Sequence, residues 1–372
     1  MKKTFCDTHI LAFLKDWKSL NKPLDLHLSQ YFKAHKNLGS HDRKKIGESV
    51  YSLIRWKSLF DAIDPTQSDS LRLHLLPRLE AFKNDLKIQE WARLGLSPFL
   101  YSELLQDFAL DQVKNLANIL NSPAPTTIRT NFIKTTRERL FDKLKNRFDV
   151  RLSDKTESGI IFSKREPLFS TPEFKEGLFE MQDEASQMIA NLVQAVPGSR
   201  ILDFCSGSGG KSLAIAPQMN GKGELYLHDI RNQPLLEAKK RLKRAGIQNG
   251  QVLSSDHPTL NKLKKKMDFV IVDVPCSGSG TLRRNPAMKW KIDAEMIERL
   301  IEEQRTIFEK ALQFVKPGGK IIYATCSIFS KENEQQVEYF QKKFSLTLEK
   351  EPLKLLPEMG GHDGLFGAVF KS

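Results

Sequence analysis

The chain has 372 residues, of which 40% are hydrophobic and 28% are charged, and this balance is typical of a folded protein and excludes a disordered one. Its formal net charge of +13 favours an anionic partner such as nucleic acid. We expect no membrane association, because no run of about 18 apolar residues occurs. Four cysteines are too few for a disulfide scaffold, so we expect a reducing, cytoplasmic setting. No Cys or His pairs have zinc spacing, so we expect no metal.

The amino-terminal third of the chain carries helical patterns. Apolar residues recur at helical spacing from Ile10 to Leu20 and again from Ile46 to Leu59. Strand-like alternation is scarce, so residues 1–122 are predicted to form a helical domain. Its Lys and Arg side chains could contact RNA, but a solvated surface explains them equally well.

A Pro-rich linker near residue 123 introduces a smaller segment of mixed character. A strand around residues 127–131, a helix and two further short strands predict a small α+β module over residues 123–174. Its basic residues Arg129, Lys134 and Arg137 suggest that it binds RNA, although it lacks an aromatic stacking signature.

From residue 175 onward, short apolar strands alternate with helical segments, which predicts a doubly wound α/β domain over residues 175–372. The first strand of that pattern leads into a Gly-rich loop that opens a helix. The loop consists of Cys205, Ser206, Gly207, Ser208, Gly209, Gly210 and Lys211. Its glycines let backbone approach a ligand, and the helix amino terminus attracts a carboxylate or a phosphate.

Two later strands of this domain end in carboxylates. Asp229 is placed to accept hydrogen bonds from a ribose diol, and Asp256 is placed to hold an adenine amino group. Ordinary strand-end capping explains either residue alone. Together with the loop, the two residues fit an adenosine-containing cofactor. S-adenosylmethionine fits better than ATP or NAD, because the loop has neither Walker spacing nor a GxGxxG motif.

The next two strands each end in a cysteine. One strand leads through Asp273 to Cys276, and the other leads through Thr325 to Cys326. Adjacent strands lie about 4.8 Å apart, so both thiols would face one pocket. Two alternatives are a disulfide and a pair of inert core cysteines. The reducing setting argues against a disulfide, and the positions beyond the strand ends argue against core cysteines. The pair Arg283-Arg284 is interpreted as a cationic opening for an anionic substrate.

These motifs resemble the RsmB/Nop/Sun family of RNA cytosine-C5 methyltransferases. Pro275-Cys276 and Thr325-Cys326 carry the resemblance, and residues 273–278 match the family motif in full. The loop Cys205–Lys211 resembles the cofactor loop of the family, with Ser206-Gly207-Ser208 where the family usually has Ala, Ala and Pro. The resemblance implies a class I S-adenosylmethionine-dependent methyltransferase fold with a seven-stranded doubly wound sheet. Two further segments resemble family landmarks: Gln182–Ser186 and Asp363–Phe366.

The resemblance also implies roles for the site residues. Cys326 would attack C6 of cytosine, and Cys276 would assist release of the product. Asp273 would hydrogen-bond the base near N3 and border the cofactor, and Lys211 would orient the cofactor or the base. We expect a monomer that acts on 16S rRNA. Transfer RNA is the alternative substrate, and a non-catalytic RNA-binding factor in ribosome assembly is the alternative of another class.

Overall fold

The computed structural model describes residues 4–20 and 22–372. The chain divides into two compact units, one formed by Met1–Pro123 with Thr281–Ala294 and the other by Ala124–Gly280 with Glu295–Ser372. We call the first the helical unit and the second the catalytic unit. None of the helices in the described ranges combines the length and the apolar character needed to cross a bilayer.

The helical unit confirms the prediction for the amino-terminal third. Its core includes the apolar stripe of one helix, where Ile46, Val50 and Leu53 are at most 6% exposed. Its α-helices are α1 (Phe5–Ser19), α2 (Leu24–Ala34), α3 (Ser40–Arg55), α4 (Lys57–Ile63), α5 (Asp69–Leu75), α6 (Leu79–Lys83), α7 (Glu90–Arg93), α8 (Pro98–Asp107) and α9 (Leu110–Leu120).

Residues 281–294 return to the helical unit and are anchored there by a buried lysine. Lys289 donates hydrogen bonds to the carbonyls of Arg55 and Gly95 and to Oδ1 of Asn121, at 2.6–2.9 Å. Arg283, which was predicted to form an exposed cationic opening, is only 1% exposed. That prediction is therefore wrong for Arg283, because the segment that contains it packs into a folded unit instead of lying open to solvent.

The catalytic unit begins with a small antiparallel sheet in the order β2-β3-β1-β4. The predicted strands and helix are present. A fourth strand, β4, lies beyond the predicted boundary at residue 174 and joins this sheet by pairing with β1, with Met181 opposite Ile128. The elements are β1 (Thr126–Thr130), α10 (Arg137–Lys145), β2 (Val150–Leu152), β3 (Gly159–Phe162), α11 (Pro172–Lys175) and β4 (Phe179–Met181).

The remainder of the catalytic unit is built on a large sheet in the order β7-β6-β5-β8-β9-β12-β10, with β11 paired to β12. Strands β5 to β9 are parallel and β12 is antiparallel to β9. This is the predicted seven-stranded sheet with one short strand added. The elements are α12 (Glu184–Ala190), β5 (Arg200–Asp203), α13 (Gly210–Ile215), β6 (Glu224–His228), α14 (Asn232–Ala245), β7 (Gly250–Leu253), α15 (Thr259–Leu263), β8 (Met267–Asp273), α16 (Ala294–Leu312), β9 (Val315–Thr325), α17 (Glu334–Phe344), β10 (Thr347–Leu348), β11 (Leu353–Leu355) and β12 (Leu365–Lys371).

The apolar cores on the two faces of this sheet fix where the functional residues lie. Ile271 of β8 faces one core and its neighbours Val270 and Val272 face the other, as expected for a strand covered on both sides. The strand order reverses between β5 and β8. In open α/β sheets, ligands bind outside the carboxyl ends of the strands at such a switch point.

Candidate active site

The structure brings the two predicted thiols together at the carboxyl ends of β8 and β9. The strands are neighbours, with Asp273 opposite Ala324. The sulfur atoms of Cys276 and Cys326 lie 3.2 Å apart, and the Cys326 N–H donates to the Cys276 sulfur at 3.3 Å. Both cysteines are free and partly exposed, so the pair is not a disulfide, and Cys326 packs against the apolar core that contains Ile271.

The two thiols differ in the charges that surround them. The hydrogen bond with Cys326 and burial raise the pKa of Cys276 well above its ordinary value, and the negative charge of Glu332 adds to this. A negative charge on Cys326 is, in contrast, among the influences that raise the pKa of Lys211. Lys211 therefore interacts electrostatically with Cys326, whereas Cys276 is held as a thiol.

Lys211 and Asp273 form an ion pair beside the thiols. The ammonium group contacts Oδ2 of Asp273, and the side chain of Lys211 is 8% exposed whereas that of Asp273 is 36% exposed. Burial opposes the charge on Lys211, but the attraction of Asp273, with a smaller one from Asp203, outweighs it and raises the pKa of Lys211. The site therefore keeps a cation at this position at neutral pH.

Asp203, at the end of β5, is a buried carboxyl group that the sequence did not single out. Its Oδ2 accepts a hydrogen bond from the hydroxyl of Ser212 at 2.7 Å. Burial raises the pKa of Asp203 to about 7. Within the described part of the chain, Oδ1 of Asp203 and the hydroxyl of Ser206 are buried without a hydrogen-bond partner. Donors or acceptors of a bound ligand would satisfy these two groups.

The Gly-rich loop turns directly above β5 and β6. Gly207 and Gly209 have φ values of 52° and 81°, a region that residues with a Cβ rarely adopt. A Cβ at Gly207 would have no neighbour within 4 Å, so the space beside this residue is open to a ligand. Cys205 lies at the start of the loop, where burial and then Asp203 raise the pKa of its thiol. This third cysteine therefore stays protonated.

The two predicted strand-end carboxylates have different surroundings. Oδ2 of Asp229 accepts the Gly207 N–H at 2.9 Å, and Oδ1 accepts the backbone N–H and Nε of Arg231 at 2.9 and 3.0 Å. Asp256 is exposed and accepts a hydrogen bond from the hydroxyl of Ser254 at 2.6 Å. The structure thus joins Asp229 directly to the Gly-rich loop and leaves Asp256 at the rim of the sheet.

Buried polar side chains support both cysteine loops, and sequence reasoning missed them. Glu332 is fully buried; its carboxylate accepts the Ser277 N–H and the amide of Gln304, each at 2.9 Å. The same Gln304 amide reaches the carbonyl of Pro275 at 3.1 Å. Buried Asn333 accepts the hydroxyl of Thr325 at 2.6 Å. These contacts fix the backbone on either side of the thiol pair.

The two further segments that were singled out in the sequence meet each other. Asp183 caps α12 by accepting the Ala185 N–H at 2.9 Å. The same oxygen accepts the Asp363 N–H at 3.1 Å. The next residue, Gly364, donates its N–H to the carbonyl of Gly280 at 2.9 Å, so the loop that carries Cys276 is held from this side too.

The basic residues assigned to RNA binding in the small module are engaged within the protein. Arg129 is buried and donates to the carbonyl of Gly210 at 3.1 Å. Lys134 donates to the carbonyls of Glu176 and Arg244 at 2.7 Å. Arg137 donates to two further carbonyls at 3.0 Å. These contacts give the three side chains structural roles.

The residues at this sheet edge fit S-adenosylmethionine. Gly207 leaves open space beside the loop, and Asp229 and Asp203 provide carboxylate oxygens at neighbouring strand ends. Within the described ranges, no group of three or more His, Cys, Asp or Glu residues has a metal-binding arrangement.

Comparison with known proteins gives the family of the chain. Residues 190–371 match the family model described as 16S rRNA methyltransferase RsmB/F. The protein named ribosomal RNA small subunit methyltransferase B from Photorhabdus laumondii is 30% identical over 303 residues, which cover 77% of this chain and 70% of that relative. The 28S rRNA (cytosine-C(5))-methyltransferase of Mus musculus is 32% identical over 258 residues, or 67% of this chain, but this match spans only 32% of the mouse protein.

A solved structure supports the same assignment at the level of the fold. The crystal structure of PH0851 superposes with a TM-score of 0.85 over 98% of each chain, at 20% sequence identity. The large sheet and its switch point are typical of a class I methyltransferase, and the match to the bacterial relative indicates the same kind of protein. The chain belongs to the RsmB/Nop/Sun family of S-adenosylmethionine-dependent RNA (cytosine-C5) methyltransferases.

Proposed function

We propose that this protein methylates C5 of a cytosine in 16S rRNA through a covalent bond between Cys326 and C6 of the base. The observation that carries the proposal is the pair of free thiols 3.2 Å apart beside the Lys211–Asp273 ion pair. The name of the bacterial relative supports the small-subunit RNA as substrate. We further propose that the protein acts as a monomer in the cytoplasm.

Cytosine C5 is a poor nucleophile, and the proposed roles overcome this. The Cys326 thiolate adds to C6, and the new S–C6 bond turns C5 into an enamine carbon that can be alkylated. A proton held between the carboxylate of Asp273 and N3 of the base makes the ring more electrophilic and so favours addition at C6. Lys211 stabilises the thiolate before attack. After C5 has been methylated, its proton passes to water, the C5–C6 double bond forms again, the S–C6 bond breaks and Cys326 leaves as the thiolate.

S-adenosylmethionine would be held by residues of the same edge, and when bound it supplies the methyl group. The loop Cys205–Lys211 would surround its methionine portion. Asp229 would accept hydrogen bonds from the ribose, and Asp256 would accept them from the adenine amino group. Asp273 would stand between the cofactor and the base. Cys276, held as a thiol, would assist the elimination that frees the methylated RNA.

The test compares Cys326→Ala and Cys276→Ala, with Cys6→Ala of the helical unit as a matched control. Each variant is incubated with labelled S-adenosylmethionine and with 16S rRNA or total tRNA, followed by denaturing electrophoresis and bisulfite sequencing. We expect Cys326→Ala to lose both methylation and the RNA–protein adduct. Cys276→Ala should accumulate an adduct that survives denaturation, and Cys6→Ala should methylate normally.

Other outcomes assign other functions. An adduct that accumulates only in Cys326→Ala would reverse the roles of the two thiols. Methylation confined to tRNA would change the substrate. Absence of both methylation and adduct with either RNA in the wild-type protein would favour a non-catalytic factor in ribosome assembly.

A further inference from the structure

A buried carboxylate in the small sheet organises two arginines of α14. Glu180, on β4, is 3% exposed. Its Oε2 accepts Nε and Nη2 of Arg241 at 3.2 and 3.1 Å, and its Oε1 accepts Nη2 of Arg244 at 2.6 Å. A planar guanidinium that binds a buried carboxylate through two nitrogen atoms has a fixed orientation. Glu180 therefore determines where the remaining nitrogen of Arg241 points.

That remaining nitrogen reaches the Gly-rich loop. Nη1 of Arg241 donates to both the carbonyl and the hydroxyl of Ser208, at 2.9 and 2.8 Å. Arg244 has a different second contact, since its guanidinium lies 4.0 Å from the ring centre of Phe174. The two arginines thus share Glu180, but it is Arg241 that connects this carboxylate to Ser208.

The loop has a second attachment to the small sheet two residues further on. The carbonyl of Gly210 accepts hydrogen bonds from Arg129 of β1 and from the amide of Gln182, both at 3.1 Å. Between the two attachments, Gly209 donates its N–H to the carbonyl of Ser206 at 2.8 Å. Residues 206–210 are consequently held by side chains that lie outside the strands of the large sheet.

A loop with glycines at three of these positions loses much backbone freedom when it becomes ordered, and a ligand that orders it binds more weakly. Proline, the usual family residue at position 208, restricts the backbone by fixing φ. Serine does not restrict the backbone in this way, but in this chain a hydrogen bond from the charged side chain of Arg241 holds Ser208 in place. We propose that Arg241, oriented by Glu180, is a positioning residue that preorganises the Gly-rich loop for S-adenosylmethionine. This inference rests on the proposed function only for the identity of the ligand.

The experiment compares Arg241→Met with Arg244→Met. Both variants remove one positive charge from the same helix and one partner of Glu180, but only the first removes the contact with Ser208. Affinity for S-adenosylmethionine is measured by calorimetry, and order in the ligand-free loop is measured by amide hydrogen exchange of residues 205–211. A third variant combines Arg241→Met with Ser208→Pro.

We expect Arg241→Met to weaken binding about tenfold or more, the size expected for a lost hydrogen bond to a charged group, and to speed amide exchange in the loop. Arg244→Met should stay within about twofold of wild type in affinity, although both variants lose stability. The added proline should restore most of the affinity without restoring the lost ion pair. In steady state, Arg241→Met should raise KM for S-adenosylmethionine with little change in kcat.

Equal losses of affinity in the two arginine variants, or unchanged affinity in Arg241→Met, would overturn the proposal while leaving the proposed function intact. Failure of the added proline to restore affinity would contradict the preorganisation argument specifically. If the wild-type protein binds no S-adenosylmethionine, both the inference and the proposed function fail.

Discussion

Lys211 and Asp273 form one ion pair, but replacing Asp273 should lower the free energy of unfolding more than replacing Lys211. Asp273→Asn leaves an ammonium group whose side chain is 8% exposed without its main counter-charge. Breaking a buried ion pair from one side costs about 3–5 kcal/mol, and we expect roughly 3 kcal/mol here because Asp273 is partly solvated. Lys211→Met leaves a carboxylate that is 36% exposed and can be hydrated, so its cost should be near 1 kcal/mol.

The sign of the pH dependence provides a second measure of the same effect. In the wild-type protein the net pKa of Lys211 is raised, so the lysine stays charged through neutral pH. Without Asp273, burial becomes the main influence and lowers the pKa of Lys211 below that of the unfolded chain. The unfolded state then binds more protons than the folded state. The free energy of unfolding of Asp273→Asn should therefore rise with pH above neutrality, unlike that of the wild type.

The assay must report on the catalytic unit. All four tryptophans, Trp17, Trp56, Trp91 and Trp290, lie in the helical unit, so their fluorescence serves as a control that should not change. Hydrogen exchange of peptides from β5 and β8, measured in urea between pH 6 and 9, gives the required free energies. Equal losses in the two variants, or no difference in pH slope between Asp273→Asn and wild type, would refute the reasoning.

Two further predictions concern buried titratable groups. The pKa of Asp203 is raised to about 7 in the folded protein, so as pH rises this carboxyl group loses its proton in the unfolded chain first. The free energy of unfolding of the wild type should therefore fall between about pH 4 and 7, by up to roughly 4 kcal/mol from this group. Asp203→Asn should lack this pH dependence, so its stability relative to wild type should improve as pH rises in urea unfolding experiments. A difference in stability between the two proteins that stays constant with pH would contradict the burial of an ionisable group at this position. Lys289→Met leaves the carbonyls of Arg55 and Gly95 and the side chain of Asn121 without their buried donor. It should destabilise the helical unit by about 2–4 kcal/mol in unfolding followed by tryptophan fluorescence. An unchanged unfolding midpoint would mean that desolvation of the ammonium group offsets these bonds.

The thiol pair could be located from sequence because its position depends on strand order and periodicity alone. The apolar runs before Asp273 and Thr325 define two strands, and consecutive strands of a doubly wound pattern are often neighbours. A cysteine just beyond each end must then lie near the other. Asp229 was located by the same reasoning.

The supporting residues could not be predicted in this way, because their burial depends on tertiary packing. Glu332 and Asn333 lie within a run of polar residues that local pattern assigns to solvent, yet both are fully buried. Arg129 and Arg283 are cations in a basic chain, and charge alone made each a candidate RNA contact. In the structure each is buried within a folded unit, where its position depends on residues distant in sequence.

The proposed division of roles between the two thiols rests on their surroundings more than on their own geometry. Both cysteines sit beyond equivalent ends of adjacent parallel strands, so strand geometry does not distinguish the nucleophile. The distinction comes from charge. Glu332 lies beneath the loop of Cys276, where a second negative charge would be unfavourable, whereas Lys211 interacts electrostatically with Cys326. Cys276, which stays protonated, can donate a hydrogen bond to the sulfur of Cys326 3.2 Å away, and the proposed roles of the two thiols require this arrangement.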